Sequence, residues 1–533
     1  MAAQISLALL LAISFAQVSS AFPVRTVALT GAQAPGALEG WRYSNMSQPA
    51  INAVGEVAFS GFARSPGANP TFRSGKWSEG GGSLHKIFLE GDPAPGVSPP
   101  DRFELGSATR INLAGQSALS VGLSDSNALY LEENGTLTLL VRTGQAAHGL
   151  APDVSYSRVG QSPVVDDRGH VTFAMLLDVP GLFNAAGIWS NRSGEIAPVV
   201  VGYTLPSPPP TAISGVDSFR MNGSGELAYL VQYGNGQVTG VRAEGDGVTF
   251  EIAQTGLPAA GFPDGYSYAR LDGPTINDAG HVAFTGGLTG PSIDPSNDKA
   301  IWEGGPDGLR VVSQLGAQAP GADSAANFSR FYWTNLNGEG GVTFVASLTG
   351  PSVTENDDVG LWSEVDSELK LIVREGEPAP GAPLGATFGS LSPNFLSNFV
   401  PHSNARGQVA FTAPLTGADI TPENDQGLWV TNLAGEPQLV VCEGDLFDVN
   451  DDPLINDFRT ISRVAINNIT SSGGEDGLGS ALNASGQLTM YLSFTDFSAG
   501  IFVVETLVPE PSSAATSILT LALLAAVRRR QPA

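Results

Sequence analysis

Short apolar and β-branched runs, each about the length of a strand, follow one another along this chain, bounded by Gly, Pro and Asn. Leu369-Lys370-Leu371-Ile372-Val373 is one alternating run, and Val57-Ala58-Phe59 opens another. No long 3.6-residue pattern lies between them, so the pattern predicts an all-β fold. The runs also recur. An Asn-x-x-Gly turn phrase begins at Asn52, Asn112, Asp166, Asn222, Asn277, Asn337, Asn404 and Asn483, at spacings of 60, 54, 56, 55, 60, 67 and 79 residues. A period of this size marks a repeat architecture.

Two further phrases share the period. Gly-x-x-Ala-Pro-Gly starts at Gly31, Gly91, Gly316 and Gly376, with looser copies at Gly144, Gly202, Gly256 and Gly444. A small-apolar-Trp strand ends at Trp189, Trp302, Trp362 and Trp429, with Trp77, Tyr130, Arg242 and Phe502 in the same place elsewhere. Asn first and Gly fourth is the signature of a type I turn. Each cycle therefore holds four short strands, and eight such cycles predict a β-propeller of eight four-stranded blades. The repeat region opens with a lone fourth strand, Arg25 to Leu29, and closes with a lone third strand, Gly500 to Glu505. Pairing these two would complete one blade from both termini and leave no open sheet edge. An open β-solenoid or several sandwich domains are the alternatives, though an open array calls for polar capping repeats that are not seen.

The ends carry an address. Residues 1–21 read as a signal peptide, with the apolar run Ile5 to Ala16 ahead of the small residues Ser19-Ser20-Ala21 and no Lys or Arg before it. The repeat domain spans 22–506, and helices are expected only in the flanking N-terminal signal and C-terminal segments. In 507–533, Pro509-Glu510-Pro511 precedes an apolar stretch at 514–527 and then Arg528-Arg529-Arg530. That stretch is shorter than the roughly 20 residues of a bilayer span, and the arginines suit its cytoplasmic side. Motif, stretch and basic end together resemble the PEP-CTERM sorting signal of Gram-negative bacteria. The resemblance implies transient anchoring in the inner membrane, an exosortase-type processing enzyme as partner, and release to the cell surface. The repeats are similar to those of exported proteins with tandem Asn-x-x-Gly-x-x-Ala-Phe units and varied anchors. Ala58-Phe59, Ala283-Phe284 and Ala410-Phe411 match fully, and that group implies no known activity.

A net charge of −26 argues against nucleic acid as a partner. Cys442 is the only cysteine, which excludes an internal disulfide, and it falls in an apolar strand as a small hydrophobe. No nucleotide loop, zinc motif or nucleophile elbow is present. His170 and His281 occupy one repeat position in different cycles. Acidic loops of cycles five to seven, with Asp294 and Asp298, Asp357 and Asp358, and Asp425, offer the oxygen ligands that Ca²⁺ prefers, or else solvated Asx turns. Asp448-x-Asn450-x-Asp452 imitates an EF-hand opening, but Pro453 and Arg459 stand where Gly and Glu are required. Aromatics in the blade connections, among them Trp41, Tyr266, Tyr268 and Trp333, could stack on sugar rings or pack the inner strands. Arginines recur there too (Arg42, Arg102, Arg158, Arg220, Arg270, Arg330), but their distance from the turn Asn varies from 2 to 10 residues, which argues against a ring. The expectation is an exported surface or matrix propeller binding an exopolysaccharide, other glycan or protein partner. The alternative is a secreted carbohydrate-active hydrolase or lyase.

Overall fold

A computed structural model describes residues 22–507, apart from 99, 108–109, 205–210, 235, 246, 306, 324, 393–398, 453, 468–470 and 473–478. The expected signal peptide, and the sorting segment with Pro509, Glu510, Pro511, Arg528, Arg529 and Arg530, lie outside the described residues. So do the helices expected to flank the domain, and Pro453. Among the described residues no helix is long and apolar enough to cross a membrane.

The described residues form eight sheets, almost wholly antiparallel, and each is one cycle of the repeat. Blades one to seven span 42–89, 117–142, 155–204, 213–254, 267–314, 327–374 and 387–442; the eighth runs from 446 to 505. In blade two the innermost strand is reduced to a bridge between Gly106 and Val121. Val24–Leu29 is the outermost strand of blade eight. It pairs with Ala499–Glu505 in antiparallel register, Val24 opposite Val504 and Leu29 opposite Gly500. The predicted eight-bladed, terminally stapled propeller is therefore the fold. The outer edge of the staple is covered as well. Asp451 Oδ1 accepts from Thr26 N–H at 2.8 Å, and Thr26 Oγ1 donates to Val449 O at 2.9 Å. The insertion that imitates an EF-hand thus clamps the closing strand, while its own Asp448, Asn450 and Asp452 cap successive backbone N–H groups.

An aromatic group of three fills most blades. The Phe of Asn-x-x-Gly-x-x-Ala-Phe stacks on the third-strand Trp: Phe59 on Trp77, Phe173 on Trp189, Phe344 on Trp362, Phe411 on Trp429 at 5.9–6.2 Å and 13–18°. A ring near the start of the innermost strand meets the same Trp edge-on, as Tyr43, Tyr156, Phe328 and Phe388 do. Burying such groups is the largest favourable term for sheets of this kind. The indole N–H then explains the other phrase. Trp77 Nε1 donates to Pro35 O, Trp362 to Pro320 O and Trp429 to Pro380 O, each the proline carbonyl of a Gly-x-x-Ala-Pro-Gly turn. The two phrases recur together because one hydrogen-bonds the other.

Asn at the head of six of the eight turns has two tasks. In Asn404, Oδ1 accepts from Arg406 and Gln408 N–H inside its own turn, while Nδ2 donates to Asn483 O in the next blade at 2.8 Å. The same side-chain link runs from Asn52 to Asn112, Asn112 to Asp166, Asn222 to Asn277, Asn277 to Asn337, and Asn483 to Asn52. Asp166 has no amide to donate, and there Asp167 N–H bonds Gly223 O; Gly338 N–H bonds Ala405 O between blades six and seven. All eight seams are thereby bridged in one closed circuit around the channel.

Candidate functional site

The strand-two-to-three loops and the blade connections share one face, here called the loop face; the Asn turns lie on the other. On the loop-face side, the innermost strand of six blades carries a bulge just after its edge-on ring or the residue in its place. The bulge falls between Tyr156 and Arg158, Tyr268 and Arg270, Phe328 and Arg330, and Ile461 and Arg463. A bulge turns two successive side chains away from the packed sheet, and Arg158, Arg270, Arg330 and Arg463 are all exposed. They hold one structural position in blades three, five, six and eight, at the mouth of the channel. Their distance from the turn residue is not constant. Arg158, Arg270 and Arg330 stand 8, 7 and 7 residues before their turn residue, and Arg463 stands 20 before Asn483. The landmark common to all four is therefore the buried residue two earlier, a ring in three blades and Ile461 in the eighth; Arg42, Arg102 and Arg220 do not hold this position. Asn45 holds the position in blade one, and it lines a cavity of about 240 Å³ with Arg463, Asn467 and Tyr491.

These guanidinium groups are differently engaged. Arg270 pairs with Asp272 at 2.6 Å, and Arg330 lies over the Tyr332 ring at 5.0 Å. Arg158 has no ion-pair or hydrogen-bond partner among the described residues. A guanidinium presents a planar fork that matches carboxylate, sulfate or phosphate oxygens, and placing several around one mouth suits a ligand with repeated negative charge.

Two pairs of acids lie behind the mouth. Glu375 ends the outer strand of blade six and accepts from Leu391 N–H at 2.6 Å in blade seven. Burial, then hydrogen bonding to Asp358, raises its carboxyl to about 7. Glu443 repeats this one blade on. Burial, then the charge of Asp425, raises it to about 7, and Arg463 opposes the shift. Both glutamates are closed off from solvent, at 3% and 7% exposed, so they lock a loop to its seam and do not flank an open cleft. The sequence reading passed over them because each stands alone at a strand end, 17 or 18 residues from its partner.

The remaining candidates can be placed in turn. Asp294 caps Ser296 through N–H and Oγ, and Asp357 accepts from Thr354 N–H and Oγ1 and pairs with Arg374 at 2.9 Å. Asp298 holds the loop base through its carbonyl, which accepts from Leu288 N–H. Asp358 and Asp425 are the partners of Glu375 and Glu443. The five aspartates lie in three separate blades, and among the described residues no three His, Cys, Asp or Glu side chains converge as a metal site would need. Trp41 and Tyr268 are buried in blade cores, Trp41 with Arg73 over its ring at 5.3 Å and Tyr268 edge-on to Trp302. Packing therefore occupies the faces that a sugar would need. Tyr266, stacked with Phe262, and Trp333 are half-buried. His170 and His281 bond carboxylates of their own blades, Asp166 at 2.9 Å and Glu303 at 2.6 Å. Cys442 is buried and its thiol is pushed up to about 12, chiefly by burial.

On the turn face, a cleft of about 1100 Å³ crosses blades five to seven. Arg310 spans it from Glu303 to Glu364 at 2.7 Å each and also donates to Gly340 O. Arg25 repeats this across the closing seam, to Glu79 and Gly55 O, and Arg192 does so to Glu244 and Gly225 O. Arg310, Glu303 and Glu364 in this cleft therefore serve as seam braces.

No curated protein matches the chain significantly. Among solved structures it is similar to the β-propeller domain of the Trilobed protease from Pyrococcus furiosus. That match has 11% identity and a TM-score of 0.35, covering 76% of this chain and 99% of that one. It is also similar to an α-L-arabinanase of Penicillium chrysogenum complexed with arabinobiose, at 9% identity and a TM-score of 0.24, covering 78% and 96%. An acylaminoacyl peptidase of Pyrococcus horikoshii matches at 11% identity and a TM-score of 0.35, covering 74% of this chain and 52% of its own. Residues 51–515 match a family of unknown function (DUF7453), and with most of its length inside that match the chain belongs to this family.

Proposed function

We propose that this protein is an exported, non-enzymatic propeller that binds a glycan or protein partner at the cell surface or in the extracellular matrix, using the mouth of its loop-face channel. The observation that carries the reading is the recurrence of an exposed arginine at one bulge position in four blades. Arg310 is committed to bracing a seam between Glu303 and Glu364; the exposed arginines on the innermost strands make no ion pair across a seam, Arg270 pairing only with Asp272 of its own blade. The raised acids support binding over hydrolysis, since a general acid must reach the bond it cleaves and Glu375 and Glu443 are shut away. Export rests on the signal-like start and on Pro509-Glu510-Pro511 ahead of an apolar stretch and three arginines. On that reading an exosortase-type enzyme removes the tail after a passage through the inner membrane.

The test is a panel of immobilised polysaccharides scored for retention and for new reducing ends, with Ca²⁺ and with chelator. Retention without release, weakened by Arg330→Gln with Arg463→Gln, is the expected result. Release of sugar would replace the binding reading with a hydrolase or lyase. Intact mass of the surface-released protein, in a host with the matching processing enzyme, should lack residues from about 509 onward. Retention of Arg528 to Ala533 would make the tail an anchor only.

A further inference from the structure

Blades one and eight meet at a second surface that the channel reading does not use. The hairpin joining Gln487–Phe494 to Ala499–Glu505 turns through Thr495 and Asp496, with Phe497 N–H bonded to Phe494 O and Phe494 N–H to Ser498 O. The residue after such a turn takes positive φ and is normally glycine. Here it is Phe497, at φ +67°. An aromatic residue at positive φ is strained, and a ring normally compensates by burial. Phe497 does not, being 99% exposed. Neither backbone geometry nor packing accounts for this ring.

The ring borders a groove of about 540 Å³, walled by Thr30, Arg42, Ser44, Arg64, Phe72 and Phe497. Phe72 is also half open, at 54%. Arg42 uses one donor on Gly31 O, and neither Arg42 nor Arg64 has a carboxylate partner among the described residues. Asp496, the nearest acid in sequence, is turned to Ser498 and Arg459. No Asp or Glu lines this groove, whereas Glu303, Asp307, Glu339, Glu364 and Asp366 line the turn-face cleft. On a chain of net charge −26, two unneutralised arginines beside two exposed rings form a local inversion of charge. Flat rings take the C–H face of a pyranose, and guanidinium forks take its carboxylate. All but four of the 26 cationic side chains are arginine, the four being Lys76, Lys86, Lys299 and Lys370.

We infer that this groove is a binding subsite for a uronic-acid residue of an acidic polysaccharide, with Phe497 and Phe72 as stacking platforms and Arg64 and Arg42 on the carboxylate. It deepens the proposed glycan-binding reading by naming the sugar class, and it is separate from the channel mouth.

The full chain is titrated with polygalacturonate and with its fully methyl-esterified form. Expected is binding of the acid form alone, weakened about tenfold or more by Phe497→Gly and by Arg64→Gln. Phe497→Gly removes the strain, so its melting temperature should equal or exceed the parent's, and lost affinity then cannot come from misfolding. Equal binding by Phe497→Gly and the parent overturns the subsite. If Arg330→Gln with Arg463→Gln abolishes binding while the groove variants do not, the channel reading stands and the groove inference falls. No binding of polygalacturonate by the parent protein also overturns the inference, and leaves the proposed function to the wider polysaccharide panel.

Discussion

Asn483 Nδ2 donates a 2.9 Å hydrogen bond to the carbonyl of Asn52, joining the last blade to the first across 431 residues of sequence. Asn483 Oδ1 meanwhile accepts from Ser485 and Gln487 N–H within its own turn. One amide thus builds the turn and staples it to its neighbour. Asn404→Asp and Asn483→Asp keep the acceptor, remove the donor and set a carboxylate against a carbonyl. Each should cost about 1–3 kcal/mol, the range for leaving a buried partner unsatisfied. Chemical denaturation measures this; an unchanged midpoint would mean the seam link contributes nothing.

Deleting residues 22–30 removes the strand Val24–Leu29 and bares the edge of Ala499–Glu505. Exposed edges pair with other chains, so the truncated protein should aggregate or melt well below the parent. Asp451→Ala, which only uncaps Thr26 N–H, should produce a milder loss in the same direction. Light scattering alongside a thermal melt distinguishes the two, and a monomer with an unaltered melting point would refute closure by the termini.

Gly427 and Trp429 are coupled by space. A Cβ on Gly427 would lie 2.5 Å from Trp429 Cη2, and overpacking of this kind costs about 1–3 kcal/mol. Gly427→Ala should therefore destabilise blade seven, and Trp429→Phe should do so by a different route, losing the bond to Pro380 O. Because the smaller ring makes room, the double variant should cost less than the sum of the two. Strict additivity in a double-mutant cycle would show that the ring and the glycine do not compete for one space.

Stability should depend on pH through three buried groups, Glu375, Glu443 and His402. Burial pushes Glu375 and Glu443 up to about 7 in the folded protein, above the roughly 4.3 of an unfolded glutamate. The folded state therefore holds their protons more tightly, and their contribution is present below about pH 4.3 and lost as pH rises through 7. His402 acts oppositely. Burial lowers it to about 4, with Nε2 donating to Asn467 O, so its contribution is lost as pH falls through 6.5 toward 4. Glu375→Gln and Glu443→Gln should raise the melting temperature relative to the parent at pH 8 more than at pH 5. An identical offset at both values would show that these acids do not hold protons in the fold.

The sequence by itself determined the architecture. Eight Asn turns, the Gly-x-x-Ala-Pro-Gly phrases, the third-strand Trp and the split terminal strands are local, periodic signals, and period, strand length and closure follow from them. It could not show why the phrases travel together. The bond from Trp362 to Pro320 O joins residues 42 apart, and the donor task of six turn asparagines is performed in a different blade. The arginines illustrate the limit best. Of the six that recur in the blade connections, Arg42, Arg102 and Arg220 stay scattered, while bulges place Arg158, Arg270 and Arg330 at one position beyond a buried ring and add Arg463, which stands 20 residues before its turn Asn. The same holds for Glu375 and Glu443, ordinary strand-end acids until a seam buries them against Asp358 and Asp425. Backbone hydrogen bonding and side-chain alternation act over a few residues and leave a trace in sequence. Burial, bulge register and seam contacts depend on which surfaces meet once the ring of blades has closed.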